Sequence, residues 1–149
     1  GHTLVLAGRA GWLAEPLLAA VAALPADVRA RVVLPGYIDE TEKAALLSAA
    51  TALAFPSLYE GFGFPVLEAQ ACGTPVVCSD TSSLPEVAGE GALLVDPLDT
   101  AALAAALRRV AGDEDLRRRL IRAGGDNCAR FTWTRAAEQT LDILIQAAG

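Results

Sequence analysis

Ser57-Leu58-Tyr59-Glu60-Gly61-Phe62-Gly63-Phe64-Pro65-Val66-Leu67-Glu68-Ala69-Gln70-Ala71-Cys72-Gly73-Thr74-Pro75-Val76-Val77 is the stretch around which the whole chain can be read. The apolar run before it, Ala52-Leu53-Ala54-Phe55, has the length of a short buried strand, and the stretch closes into another, Pro75-Val76-Val77-Cys78. Between them a glycine-rich turn leads into a helix. Pro65 suits the first helical position, where a missing N–H costs nothing and the ring already holds a helical φ. Gly63 or Gly61 then stands just outside the helix. Glycine lets a ligand approach bare backbone, and the unpaired N–H groups of a first helical turn favour an anion, so the turn suits a phosphorylated ligand. Two carboxylates bracket it. Glu60 precedes the turn and Glu68 follows Pro65 by three residues, about one helical turn in, so both can reach one bound molecule.

Working outward, the same alternation of strand and helix repeats. Upstream, Thr3 to Ala7 is a strand ending at Gly8, and Glu15 to Leu24 a helix with Leu17, Leu18, Val21 and Leu24 at helical spacing, stopped by Pro25. The turn between them, Gly8-Arg9-Ala10-Gly11, is not a dinucleotide fingerprint. Trp12 is expected as a packing residue rather than a stacking platform. Arg31 to Leu34 is the next strand and Pro35-Gly36-Tyr37-Ile38 its turn, after which Asp39 caps a helix from Glu42 to Ala50. Downstream, Ser79 to Ser83 is a polar loop capping a short helix, Leu84 to Ala88. Gly89-Glu90-Gly91 then breaks the chain before the last strand, Ala92 to Val95. Beyond Asp99 the chain is helical: one helix ends at Gly112, a second runs toward Gly124-Gly125, and a third spans Arg135 to Gln146 with an apolar stripe of Ala137, Leu141, Leu144 and Ile145. The fold class is α/β, a Rossmann-like parallel sheet flanked by helices with a helical C-terminus.

Composition removes several classes of function. The formal charge of −6 lacks the basic face of a nucleic-acid partner. No apolar run reaches the ~20 residues that span a bilayer, and the N-terminus carries no basic leader, so a cytoplasmic protein is expected. Cys72, Cys78 and Cys128 have no metal-ligand spacing and are expected as buried free thiols. A single histidine, His2, assembles neither a zinc site nor a serine-protease-type triad. The basic run Arg117-Arg118-Arg119 shares its helix with Asp113-Glu114-Asp115. Acid first and base later is what a helix dipole rewards, so this is a solvated face.

Glu60 and Glu68, seven residues apart around Gly-Phe-Gly-Phe-Pro and followed by Ala-Cys-Gly-Thr-Pro-Val-Val, resemble the signature of retaining glycosyltransferases of the family 4 or group 1 type. The resemblance continues through Ser83-Leu84-Pro85-Glu86-Val87-Ala88-Gly89 and Ala92 to Pro97, nearly the whole chain. It implies one half of a two-domain GT-B enzyme: a single donor-binding domain over residues 1–149, without that half's first strand and helix and without the acceptor domain. It further implies a nucleotide diphosphate sugar as donor, GDP-mannose ahead of UDP-glucose, with no other cofactor and no metal. In the resembled enzymes the position of Glu60 holds the transferred sugar and is catalytic, with the amides of Gly61, Phe62, Gly63 and Phe64. The position of Glu68 takes the ribose diol, for which a carboxylate offers two acceptor oxygens. Arg9 matches a turn facing the nucleotide, and is otherwise a solvated loop arginine. Tyr37 and Ile38 match a segment against the nucleobase, and are otherwise turn and core residues. Ser83, with Ser82, lies near donor sugar or phosphate, although helix capping also accounts for both hydroxyls. A saccharide or lipid-linked acceptor is expected through the absent amino-terminal domain, and the full enzyme in the cytoplasm or peripheral at the inner membrane face. The resemblance leaves a second class open, a non-catalytic nucleotide-binding or interaction domain; a sugar-nucleotide epimerase lacks its catalytic equipment here.

Overall fold

A computed structural model describes residues 1–9, 11 and 14–148, so the role given to Trp12 lies outside the described residues. Two compact units divide the chain, Gly1–Lys43 and Ala44–Gly149. In the first, β1 (Leu4–Ala7) pairs in parallel with β2 (Val32–Gly36), and α1 (Ala14–Ala22) and α2 (Ala26–Arg29) lie between them in sequence. β2 runs two residues past the expected Leu34, through Pro35 and Gly36. A two-stranded sheet leaves every strand an outer edge, where the missing proline N–H does no harm. Gly36, at φ +80°, takes up the register shift as Ala7 pairs with it. α1 stops two residues short of Leu24. Pro25, extended at φ −50° and ψ 145°, does not merely end that helix but starts α2, a turn the stop signal concealed.

α3 (Glu40–Ala49) begins as expected behind Asp39. Its carboxylate accepts the Glu42 N–H at 2.8 Å while Glu42 accepts the Asp39 N–H at 3.0 Å, a reciprocal cap.

The second unit is built on three parallel strands in the order β3 (Leu53–Phe55), β4 (Val76–Ser79), β5 (Ala92–Val95). Side chains alternate along a strand, and β4 shows the result. Val76 and Cys78 enter a core with Val66 and Ala69 of α4 (Phe64–Ala71) and Leu84 and Ala88 of α5 (Leu84–Ala88). Val77 enters another with Val95, Ala106 and Val110 of α6 (Thr100–Gly112) and Leu116 and Leu120 of α7 (Glu114–Cys128). Each valine or leucine among them, removed from water, contributes about 1.5–3 kcal/mol, and each alanine less. Helices cover both sheet faces, as a parallel sheet requires.

Asp99 caps α6 through Ala102 N–H, and Asp113 caps α7 through Leu116 N–H. The arginine run is absorbed locally. Arg118 pairs with Glu114 and Asp115, and Arg117 donates to the carbonyls of Val110 and Ala111 at the end of α6.

One expected stop fails. α7 passes through Gly124 and Gly125 to Cys128, because Gly124 answers a packing demand rather than a turn: a β-carbon there would lie 2.9 Å from Gln70 Cγ. α8 (Trp133–Ala148) starts two residues early, its first turn capped where Thr132 Oγ1 accepts the Arg135 N–H. No α8 residue is buried, and its stripe of Leu141, Leu144 and Ile145 is exposed beside Trp133, at 84%. Among the described residues no helix is long and apolar enough to cross a membrane.

The thiols are free, and Cys78 is fully buried, whereas Cys72 and Cys128 are only half-buried, contrary to expectation. Cys72 is the residue that follows α4, half-buried where the helix gives way to the turn at Gly73. Burial pushes the Cys78 thiol up to about 12 and raises Cys128 as well. Iodoacetamide at pH 8 is therefore expected to alkylate Cys72 and spare Cys78 in the folded protein, as read by peptide mass spectrometry. Equal labelling would show that β4 is not sealed.

Candidate functional site

The turn between β3 and α4 is held on several sides. Gly63 is the residue before α4, at φ +111°, a region closed to ordinary side chains. A β-carbon at Gly63 would also come 2.6 Å from Leu84 Cδ2. Phe64 is the first helical residue and Pro65 the second, one position later than expected but still in the first turn, where its missing N–H costs nothing. Gly63, the residue before α4, has no side chain to cap it, and the leading N–H groups carry the partial positive charge of a helix start.

Glu60, half-buried, stands four residues ahead of α4. Its N–H donates to Ser82 Oγ at 3.1 Å, and its carbonyl accepts from the Ser83 hydroxyl at 3.0 Å. The Ser83 hydroxyl also donates to Phe62 O at 2.7 Å, and Thr81 Oγ1 to Leu58 O at 3.4 Å. Ser83 precedes α5 but makes no side-chain cap, so the capping alternative does not account for its hydroxyl. Phe62 rests against Phe64, ring centroids 4.7 Å apart, and edge-on against Phe131 at 5.9 Å. The turn is thus tied to the residues just before α5 and to one beyond α7.

Glu68 is half-buried in α4, four residues after Phe64 and on the same helical face. Below it lies a buried polar network. Gln70 Nε2 donates to Ala88 O at 2.8 Å, while Asn127 Nδ2 donates to Gln70 Oε1 at 2.9 Å and to Val87 O at 2.7 Å. Arg130 Nη1 completes it on Asn127 Oδ1. These bonds lock α4, α5 and α7 together, which fixes where Glu68 stands.

A family-wide sequence profile described as "Glycosyl transferases group 1" matches residues 3–126. The chain belongs to the glycosyl transferases group 1 family. Among group 1 relatives, the O-antigen chain mannosyltransferase B of Escherichia coli is 36% identical over 141 residues, which is 95% of this chain and 36% of that protein. A sucrose-phosphate synthase from Thermosynechococcus elongatus superimposes with a TM-score of 0.84 at 33% identity, over 99% of this chain and 39% of its own. Anabaena HepE in complex with UDP-glucose superimposes at 0.83 and 22% identity, over 97% of this chain and 41% of its own, a likeness of fold. The chain thus spans little more than a third of the length of such relatives, and its architecture is the Rossmann-like α/β half of a GT-B glycosyltransferase.

The structure gathers Glu60, Gly61, Phe62, Gly63, Phe64, Glu68 and Ser83 in the 44–149 unit, around the group 1 turn and the two helix starts beside it. Arg9, Tyr37 and Ile38 belong to the 1–43 unit, where the Arg9 guanidinium lies over the Tyr37 ring, 5.0 Å from its centroid. Tyr37 is 63% exposed and Ile38 half-buried. Among the described residues no group of three or more His, Cys, Asp or Glu is placed to hold a metal. Sequence reasoning missed Phe131, in the connection between α7 and α8, and the Gln70–Asn127 pair, which sits in unremarkable helical contexts. It also missed what Ser82 and Ser83 do, for which a left-handed serine leaves no sequence signal.

Proposed function

We propose that this chain is the donor-binding half of a retaining hexosyltransferase, taking a nucleotide diphosphate sugar, with GDP-mannose ahead of UDP-glucose. The observation that carries this is the Glu60–Phe64 turn opening onto the uncapped start of α4, with Glu68 one helical turn on, in a group 1 chain. The α4 start suits the departing diphosphate, Glu68 the ribose diol, and Glu60 with the amides of Gly61 to Phe64 the transferred sugar. The group 1 resemblance, and nothing in the geometry, assigns Arg9, Tyr37 and Ile38 to the nucleotide. Phosphate charge is met by helix start and basic side chains, without a divalent metal.

Mannose is favoured by the identity shared with the Escherichia coli mannosyltransferase. Glucose on uridine diphosphate is the runner-up because the HepE complex carries that donor on the same fold. Acceptor recognition, of a saccharide or lipid-linked sugar, falls to the part of such enzymes that this chain does not span. We place the protein in the cytoplasm, a reducing compartment that suits three free thiols.

Titration calorimetry tests the reading directly. GDP-mannose is expected to bind more tightly than UDP-glucose, equally with EDTA or Mg²⁺ present. Glu68→Gln is expected to weaken either donor about tenfold, since a hydrogen bond to a charged acceptor contributes ~1.5–3 kcal/mol. Failure of both donors to bind, or an absolute need for Mg²⁺, overturns the assignment.

A further inference from the structure

Thr81, Ser82 and Ser83 are consecutive, yet all three hydroxyls bond to the main chain of residues 58–62. In an extended chain, successive side chains point to opposite faces, so three in a row cannot serve one neighbour without a break in the backbone. The break is at Ser82. At φ +54° it is, among the described residues, the one non-glycine with a left-handed backbone. A β-carbon makes that conformation unfavourable, and residues held in it gather where the surroundings enforce a functional geometry.

A second local preference is set aside next door. Ser83 stands before α5, where a serine ordinarily accepts an N–H of the first turn, and it makes no such bond. Its single proton lies instead between the carbonyl oxygens of Phe62 and Glu60. Two adjacent residues thus forgo their local preferences for the same turn, as local rules are broken at functional sites.

We infer that Ser82 and Ser83 are positioning residues for Glu60, gripping its peptide at both N–H and C=O so that its carboxylate and the amides after it are aimed at the sugar of the donor. With both peptide groups held, the Glu60 backbone cannot rotate about φ or ψ without breaking a bond to a serine. Only side-chain torsions remain, and a preorganised acceptor loses little freedom when the sugar arrives. Neither serine touches the nucleotide in this arrangement. This rests on the donor assignment above and adds to it which residues aim the sugar-holding group.

The consequence is selective. The affinity of a nucleotide sugar relative to its bare nucleotide should depend on the clamp, while the affinity for the nucleotide should not. Calorimetric titrations with GDP, GDP-mannose, UDP and UDP-glucose read this ratio. Ser83→Ala is expected to lower the ratio about tenfold and to leave bare-nucleotide affinity within about twofold, and Ser83→Thr, which keeps the hydroxyl, to restore it. Ser82→Gly removes the other bond while suiting the left-handed backbone, so it is expected to show the same selective loss in a folded protein even if Ser83→Ala fails to fold. Unchanged ratios in Ser83→Ala and Ser82→Gly, or equal losses for nucleotide and nucleotide sugar, overturn the clamp and leave the donor site standing. A wild-type protein that binds none of the four ligands overturns the donor assignment, and the clamp with it.

Discussion

In the active enzyme, Glu60→Gln is expected to lower kcat on the order of 10²–10³-fold, the scale on which removal of one preorganised polar group at a reacting centre is felt. Breaking the bond between sugar C1 and the diphosphate builds positive charge on the ring and negative charge on the leaving group. The uncapped start of α4 answers the second. In the proposed assignment a carboxylate at Glu60 answers the first, and glutamine keeps the shape and an acceptor oxygen while losing the charge. The competing account makes Glu60 a helix-start charge that contributes only stability, about 0.3–1 kcal/mol. That account is weakened by position: Glu60 precedes the first helical residue, Phe64, by four, and the dipole effect fades within the first turn. Kinetics and thermal melting on the same preparation separate the two. A melting temperature that falls while kcat per folded molecule holds would make Glu60 a structural charge.

The parts of the fold legible in the sequence are those whose signals are local. β5 occupies the expected Ala92–Val95, because a four-residue apolar run between glycines and Asp-Pro has few other uses. Asp39 caps α3 through its reciprocal Glu42, three residues on, the spacing that announces such a cap. What was not legible depends on tertiary neighbours. Gly124-Gly125 carries the local signature of a helix end, yet α7 continues, since Gln70 and Gly91 press against it from 33 or more positions away in sequence. Ser83 carries the signature of a cap and bonds a turn 21 to 23 residues upstream. At the candidate site the same division holds: the carboxylate pair and its glycines were visible as a spacing. The serines, Phe131 and the Gln70–Asn127 network that hold them in place are products of packing.

Gly91→Ala is expected to destabilise the protein by about 3–5 kcal/mol, combining overpacking against backbone with loss of buried hydrogen bonds. A β-carbon at Gly91 would lie 2.6 Å from Gly124 Cα and 2.8 Å from Gly124 N, and would also strike Gln70 Nε2. A flexible side chain could swing aside, but α7 backbone cannot, so the helix must move as a body. α7 carries Asn127, whose amide holds Gln70 and the Val87 carbonyl. Shifting it breaks these bonds and leaves polar groups buried without partners, the more costly half of the change. A loss of this size is roughly a fifth or more of the stability of an ordinary domain, and for a chain of this length it corresponds to a fall on the order of 10 °C in Tm. Gly112→Ala is the matched control. It adds the same methyl group at the end of α6, where nothing lies within 4 Å and the backbone is not left-handed, so it should be neutral or stabilising by up to about 1 kcal/mol. Should Gly91→Ala melt within a degree or two of wild type, the close approach to Gly124 does not set the position of α7, and the account of why α7 runs through its glycines fails with it.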